Sequence, residues 1–373
     1  MRLVNIFHLG VKELRSLARD PIMLVLIGYT FTIAVYTAAT AIPETLNKAQ
    51  IAIVDEDRSA LSTRIADAFY PPHFSKPLSI TIQEMDSRMD AGLITFALDI
   101  PQNFQRDVLA GRQPDIQLNV DATRMSQAYT GGGYIQTIIT TEVSAFLQNY
   151  RTAPVLPVDL AIRARFNPTL SKSWFGAIIE VIDHVTMLSI ILAGAALIRE
   201  REHGTVEHLL VMPVTPFEIM SAKIWAMTLV VLCAAAFSLV FVIQGILAIP
   251  IQGSIALFLA GAAVQLLATT SIGIFLATLA RSMPQFALLV IITIVPLQML
   301  SGGMTPRESM PEALQIIMLA APTTHYIAMA QAILFRGAGF DVVWPQFLAI
   351  IVIAAVLFRL ASIRFRQSVA AMT

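Results

Sequence analysis

Charge is scarce in this 373-residue chain: only 13% of its residues are Asp, Glu, Lys or Arg, where an ordinary soluble domain carries about 25%. Cysteine is all but missing, and the lone Cys233 excludes an internal disulfide framework. The 25 basic and 25 acidic residues cancel, so no excess of positive charge points to a nucleic-acid partner. None of the five lysines (Lys12, Lys48, Lys76, Lys172, Lys223) follows a glycine, which excludes a Gly-Lys-Ser/Thr phosphate loop and a nucleotide site of the chain's own. No catalytic residue, metal site or cofactor is expected. Apolar residues are what abound: 56% of the chain, with a mean hydropathy of +0.70. An integral membrane protein follows.

A bilayer core needs roughly 20 apolar residues per helix. Pro21 to Ile42 supplies one run, and Phe175 to Ile198 a second, interrupted by Glu180, Asp183 and His184. From Ile224 to Ala280 there is no Asp, Glu, Lys, Arg or His, a stretch too long for one span at about 1.5 Å per residue. Ile249-Pro250-Ile251-Gln252-Gly253-Ser254 reads as its turn, dividing it into helices near 224–247 and 255–280. Phe286 to Leu300 is a fifth run, broken by Pro296 and Gly302-Gly303, and Val342 to Phe358 is a sixth. The expected fold is an α-helical polytopic membrane protein with six transmembrane helices and a mixed α/β extracytoplasmic domain between helices 1 and 2.

Residues 1–20 read as an amphipathic helix on the cytoplasmic leaflet. Val4, Phe7, Val11, Leu14 and Ala18 recur at helical spacing, with Lys12, Arg15, Ser16 and Arg19 on other faces. Asp20-Pro21 then caps and starts the first span. Lys and Arg gather in alternate short segments: Arg2, Lys12, Arg15 and Arg19; then Arg199, Arg201 and Lys223; then Arg281; then Arg359, Arg364 and Arg366. The opposite short loops hold none in 249–254 and only Arg307 and Arg336 in 301–341. Positive-inside bias therefore puts both termini in the cytoplasm. Segment 301–341, with a short helix over Pro311 to Ala321, is expected to cover the outer mouth as a gate.

Residues 43–174 have a soluble character. Strand-like stretches (51–54, 78–82, 94–100, 116–120) alternate with helix-like ones (59–69, 84–91, 103–110 and a long one after Asp121). The segment has one histidine, His73, and no nucleophile motif, so binding, gating or partner docking suits it better than chemistry.

The richest stretch is the loop 199–223, which opens Arg199-Glu200-Arg201-Glu202-His203-Gly204-Thr205-Val206-Glu207-His208-Leu209-Leu210-Val211-Met212-Pro213. A zinc site fails on spacing, because His203 and His208 stand five apart where the metalloprotease helix needs four. A short helix ending at Pro213 fits, charged at one end and apolar at the other, suited to a partner's groove. The plainer alternative is a polar loop placed by positive-inside bias. Thr215-Pro216-Phe217-Glu218 reads as a capping box launching the next helix, and Thr305-Pro306-Arg307-Glu308 repeats that pattern.

The run Arg199–Pro213 followed by Lys223 resembles the signature of type-2 ABC exporter permeases, the membrane subunits of ATP-driven export pumps. The order of one span, a large outer domain and five spans is similar to that family as well. So are Asp121-Ala122-Thr123-Arg124, Ala268-Thr269-Thr270-Ser271-Ile272-Gly273, Ala280-Arg281-Ser282-Met283-Pro284-Gln285 and Leu297-Gln298-Met299-Leu300-Ser301-Gly302-Gly303. The resemblance implies that Glu202, Gly204, Thr205, Glu207, Leu209 and Leu210 seat on an ATPase partner. Gly204 would admit close backbone approach, while Glu202 and Glu207 would pair with basic residues. It also implies two ATPase subunits, a second permease copy or paralogue, a periplasmic adaptor on the outer domain, and a bacterial inner-membrane location.

Glu180, Asp183 and His184 fall at i, i+3 and i+4, on one face of the second span. Ionisable groups at membrane depth face a cavity, a partner or a pathway, so they are candidates for a substrate path. The alternative is an outward projection with the three groups solvated near Trp174. Gln265 and Thr269, four apart, form a polar stripe suited to a path or to interhelical hydrogen bonds. A proton-driven carrier using Glu180, Asp183 and His184 and a membrane-anchored sensor are the competing functions.

Overall fold

The computed structural model describes residues 3–40, 48–121, 125–150, 172–202 and 214–370. The chain divides into two compact units, Met1–Ile42 with Ala164–Thr373, and Pro43–Arg163.

The first unit opens with α1 (Leu3–Ala18) and α2 (Pro21–Thr40). At their junction Asp20 Oδ1 accepts the Met23 amide at 3.1 Å and Pro21 takes the first turn, where a missing N–H costs nothing. A wide, i+5 turn at Thr30–Ala34 interrupts α2 and buries Thr30 and Phe31.

The second unit carries β1 (Ile51–Asp55), α3 (Ala60–Asp67), β2 (Leu78–Ser79), α4 (Ile82–Asp90), β3 (Phe96–Ile100), α5 (Phe104–Leu109), β4 (Gln117–Val120) and α6 (Met125–Tyr150). Its sheet runs β2-β1-β3-β4, with β1 parallel to β2 and β3, and β4 antiparallel to β3. Successive side chains of a strand point to opposite faces, and both faces of β1 are covered. Ile51 and Ile53 join Phe96, Leu98 and Ile100 in one core with Leu61, Ile65 and Phe104. Ala52 and Val54 join Ala97, Ile80 and Met85 in another. β2 is shorter than its apolar run because Thr81 and Glu84 form a capping box that draws Ile82 into α4.

The first unit resumes with α7 (Lys172–Glu202), α8 (Pro216–Ile246), α9 (Ile255–Leu279), α10 (Met283–Leu300), α11 (Glu312–Met318), α12 (Pro322–Leu334) and α13 (Phe340–Ala370). Among the described residues, α2, α7, α8, α9, α10 and α13 are long and apolar enough to cross a bilayer, the six that the apolar runs predict. The Thr215 box forms as expected: Thr215 Oγ1 accepts from Glu218 N at 3.3 Å and Glu218 Oε2 accepts from Thr215 N at 2.9 Å. Ser254 caps α9 after the predicted turn.

Two expectations need correction. Pro296 does not break α10, which runs on to Leu300 and stops at Ser301-Gly302, where Gly302 takes φ +95°. The Thr305–Glu308 box does not form. Only a single short turn, Arg307–Ser309, follows Pro306, because Pro311 holds Met310 extended and forbids a continuous helix. α12 is buried, bent 90° from α11, and packs against α9 and α13.

α7 is the central helix. Of its membrane-length window 89% is buried, against 17% for α10 and for α13, and it packs on α2, α8, α9, α10 and α12. Small residues permit that crowding. A Cβ on Gly273 of α9 would stand 2.3 Å from the Ile190 carbonyl oxygen of α7.

Candidate functional site

The last turn of α7 is the sequence Arg199-Glu200-Arg201-Glu202, and its alternating charge has a residue-by-residue explanation. Consecutive helical positions are about 100° apart, so four in a row face four directions. Arg199 reaches Asp20, the cap residue of α2. Glu200 pairs with Lys12 of α1 at 2.6 Å and with Lys223 of α8 at 2.7 Å. Arg201 donates to the Ala280 and Ala277 carbonyls at 2.5 and 3.2 Å, at the C-terminal end of α9. Glu202 Oε1 accepts the Met283 amide at 3.1 Å, in the first turn of α10. A cation at a helix C-terminus and an anion at an N-terminus both complement the helix dipole. One turn thus fastens α7 to five other helices.

Glu13 completes the junction. It lies 3.0 Å from Lys223 and 3.8 Å from Lys12, so two lysines and two glutamates balance in a site from which Lys223 has lost almost all water. Burial pushes the Glu13 carboxyl above the ordinary glutamate range, against the pull of Lys223. The face of α1 that carries it is not its apolar stripe. Gly10, Glu13 and Leu17 are buried, with Gly10 flat against Trp225, whose Nε1 donates to the Ile6 carbonyl at 3.1 Å. Val4 and Phe7 of the expected stripe remain exposed. α1 therefore has a docking face and a separate apolar face, as a helix held between protein and lipid requires.

A second polar group lies near the other end of α7. Asp183 is ten residues beyond Ser173, about 15 Å along the axis, and Asp183 and His184 are both buried. His184 Nε2 stands 3.2 Å from Glu180 Oε1, and its ring meets Phe31, in the wide turn of α2, edge-on at 6.2 Å. Wide turns of this kind concentrate at functional sites. Farther along α7, Ser189 Oγ donates to Thr269 Oγ1 at 2.6 Å, Gln265 Nε2 donates to Thr186 Oγ1 at 3.4 Å, and Thr269 Oγ1 donates to the Gln265 carbonyl at 3.1 Å.

The structure therefore separates the expected residues. Glu180, Asp183 and His184 form one cluster on α7; Gln265 and Thr269 join a hydrogen-bonded seam between α7 and α9. Glu202 is engaged with α10 by one oxygen. Gly204, Thr205, Glu207, Leu209 and Leu210 lie outside the described residues. What sequence reasoning missed is the junction itself. Glu13 and Lys223 are 210 positions apart, and the one available signal was an acid on the docking side of an otherwise basic segment.

Residues 21–363 match the family described as ABC-2 family transporter protein. The chain is 60% identical over 368 residues to the inner membrane transport permease YhhJ of Escherichia coli K12, covering 99% of this chain and 98% of that one. It is 28% identical over 364 residues to the probable multidrug ABC transporter permease YbhR of the same organism, with 96% and 97% covered. With the permease YbhS it shares 24% identity over 363 residues, covering 95% and 92%.

Proposed function

The chain belongs to the ABC-2 transporter family, and from that premise we propose that it is the permease subunit of an ATP-driven exporter, coupled to separate ATPase chains through residues 203–213. It is a multi-pass inner-membrane protein and the membrane part of an ABC transporter. The observation that carries the coupling is the last turn of α7. The segment that would seat on an ATPase begins at the residue after Glu202, and the four residues before it are tied to α1, α2, α8, α9 and α10. Charge-assisted bonds in a site shielded from water are short and stiff. A push on 203–213 would therefore move α7 together with its neighbours rather than bend one loop.

In this mechanism closure of an ATPase pair displaces the 203–213 segment, α7 and α8 tilt as a unit, and the path beside α7 opens alternately to the two sides. Two copies of the chain, or this chain and a paralogue, enclose that path above two ATPase subunits. Both termini face the cytoplasm, residues 43–163 face the periplasm, where an adaptor docks, and α11 and α12 gate the outer mouth. The path is lined from Glu180, Asp183 and His184 toward Gln265 and Thr269.

The test is replacement of Gly204 or Glu207, followed by co-purification of the ATPase from the native membrane and measurement of its hydrolysis rate. Loss of the ATPase, or of the permease-dependent part of its rate, is expected with the permease still folded. Unchanged association and rate in both variants would refute the loop assignment.

A further inference from the structure

We propose that Asp183 is the recognition anion for a singly charged ammonium group borne on an apolar body, within the path described above. The inference rests on the permease reading and deepens it by naming a class of cargo.

Asp183 differs from every other buried acid of the helical unit. Glu13 and Glu200 share two lysines, Glu218 accepts from the Thr215 amide, and the partly buried Glu180 has His184. Asp183 is only 8% exposed and has no hydrogen bond or ion pair with any described residue. The neighbouring polar groups leave room for a donor too. Tyr326 is fully buried, its hydroxyl has no partner among the described residues, and it interacts electrostatically with Asp183. The His184 Nδ1 atom is likewise buried and unpartnered. Polar atoms removed from water without a partner are rare, and an ionisable side chain at membrane depth is by default a candidate functional site.

The chemistry of the group narrows what it would hold. No set of three or more His, Cys, Asp or Glu side chains capable of holding a metal occurs among the described residues, and hard divalent ions take six or more oxygens. Glu180 lies against His184, so Asp183 is the one carboxylate of the cluster with no partner among the described residues, and it matches one positive charge. The carboxylate and the phenol oxygen are both acceptors, which suits the several N–H donors of an ammonium group. Gly303 faces Asp183: a Cβ there would meet Ile327, Ile179 and Asp183 at 3.4, 3.7 and 4.0 Å, ordinary contact distances. A methyl-sized space is therefore open beside the carboxylate. The neighbours of that space besides the carboxylate, Ile179 and Ile327, are apolar and fit a hydrocarbon body rather than a second charge.

The experiment uses the full-length protein in detergent and two fluorescent probes with one body: dansylcadaverine, which ends in a primary ammonium, and its N-acetyl derivative, which is neutral. Asp183→Asn is expected to weaken the ammonium probe by about 10–100-fold, the range for a hydrogen bond to a charged group, and to leave the neutral probe within about twofold. Asp183→Glu should retain the ammonium probe, and Tyr326→Phe should weaken it alone by roughly 3–10-fold. If Asp183→Asn does not fold, Tyr326→Phe decides by the same criterion. Equal binding of both probes to the unmodified protein, unchanged ammonium binding in Asp183→Asn, or an equal loss of both probes would each overturn the proposal. ATPase co-purification is scored separately on the same variants, so failure of cation recognition is distinguishable from failure of the permease reading.

Discussion

The two units of this protein both bury apolar cores but differ in what they leave at the surface and in which charges they bury. In the 43–163 unit Ile51, Ile53, Phe96 and Leu98 are withdrawn from solvent on a covered sheet, and the ion pairs Arg64–Glu142 and Arg112–Asp107 stay at the surface. In the helical unit Leu288, Ile291, Ile292 and Val295 of α10 stand exposed, while Lys223, Glu13 and Asp183 are inside. The difference is one of solvent. Water drives aliphatic groups together. Lipid does not, so helices in a bilayer are held by close packing and by polar groups that have nowhere else to bond. An isoleucine is thus structural where it packs inside, as Ile53 and Ile190 do, and indifferent where it faces lipid, as Ile291 would.

The largest test of that contrast is Lys223→Met. It leaves Glu13 and Glu200 as buried carboxylates with only Lys12 beside them, and loss of about 3–5 kcal/mol is expected from breaking a buried pair, read by thermal unfolding in detergent. Adding Glu13→Gln and Glu200→Gln should restore most of the loss, since an apolar or neutral replacement of a whole cluster is tolerated. If Lys223→Met is silent, the junction is not what holds α1, α7 and α8 together.

Next comes a matched pair. Ile53→Ala opens a cavity in the sheet core and should cost about 2–5 kcal/mol. Ile291→Ala, on the exposed side of α10, should change stability in a lipid bilayer by less than about 0.5 kcal/mol, the range of a surface change. Equal costs would mean that α10 is covered by protein rather than lipid. A smaller loss than that of Ile53→Ala is expected at the cap: Thr215→Ala removes one of the two reciprocal bonds that start α8, worth about 0.5–2 kcal/mol, and Thr215→Ser should recover it.

Much of the fold was legible because its causes are local. The length of the apolar runs set the six spans, Asp20-Pro21, Thr215-Pro216 and Ser254 set three helix starts, and alternation of short apolar runs set the strands of the second unit. Local reasoning failed where a nearby proline vetoed a motif, as Pro311 did for Thr305–Glu308. It was silent on the second face of α1, where Gly10, Glu13 and Leu17 are buried, since that face is fixed only by partners far along the chain.

The amino-acid order by itself determined how many described helices are long and apolar enough to cross the bilayer and where they begin, because both depend on neighbours a few residues away. Tertiary structure alone decided that Arg199-Glu200-Arg201-Glu202 fastens α7 to five other helices rather than forming a charged loop, and that Asp183 stands without a counter-ion among the described residues. Both are statements about which distant side chains come within about 3 Å of one another, and electrostatic pairing depends on that separation, not on position along the chain.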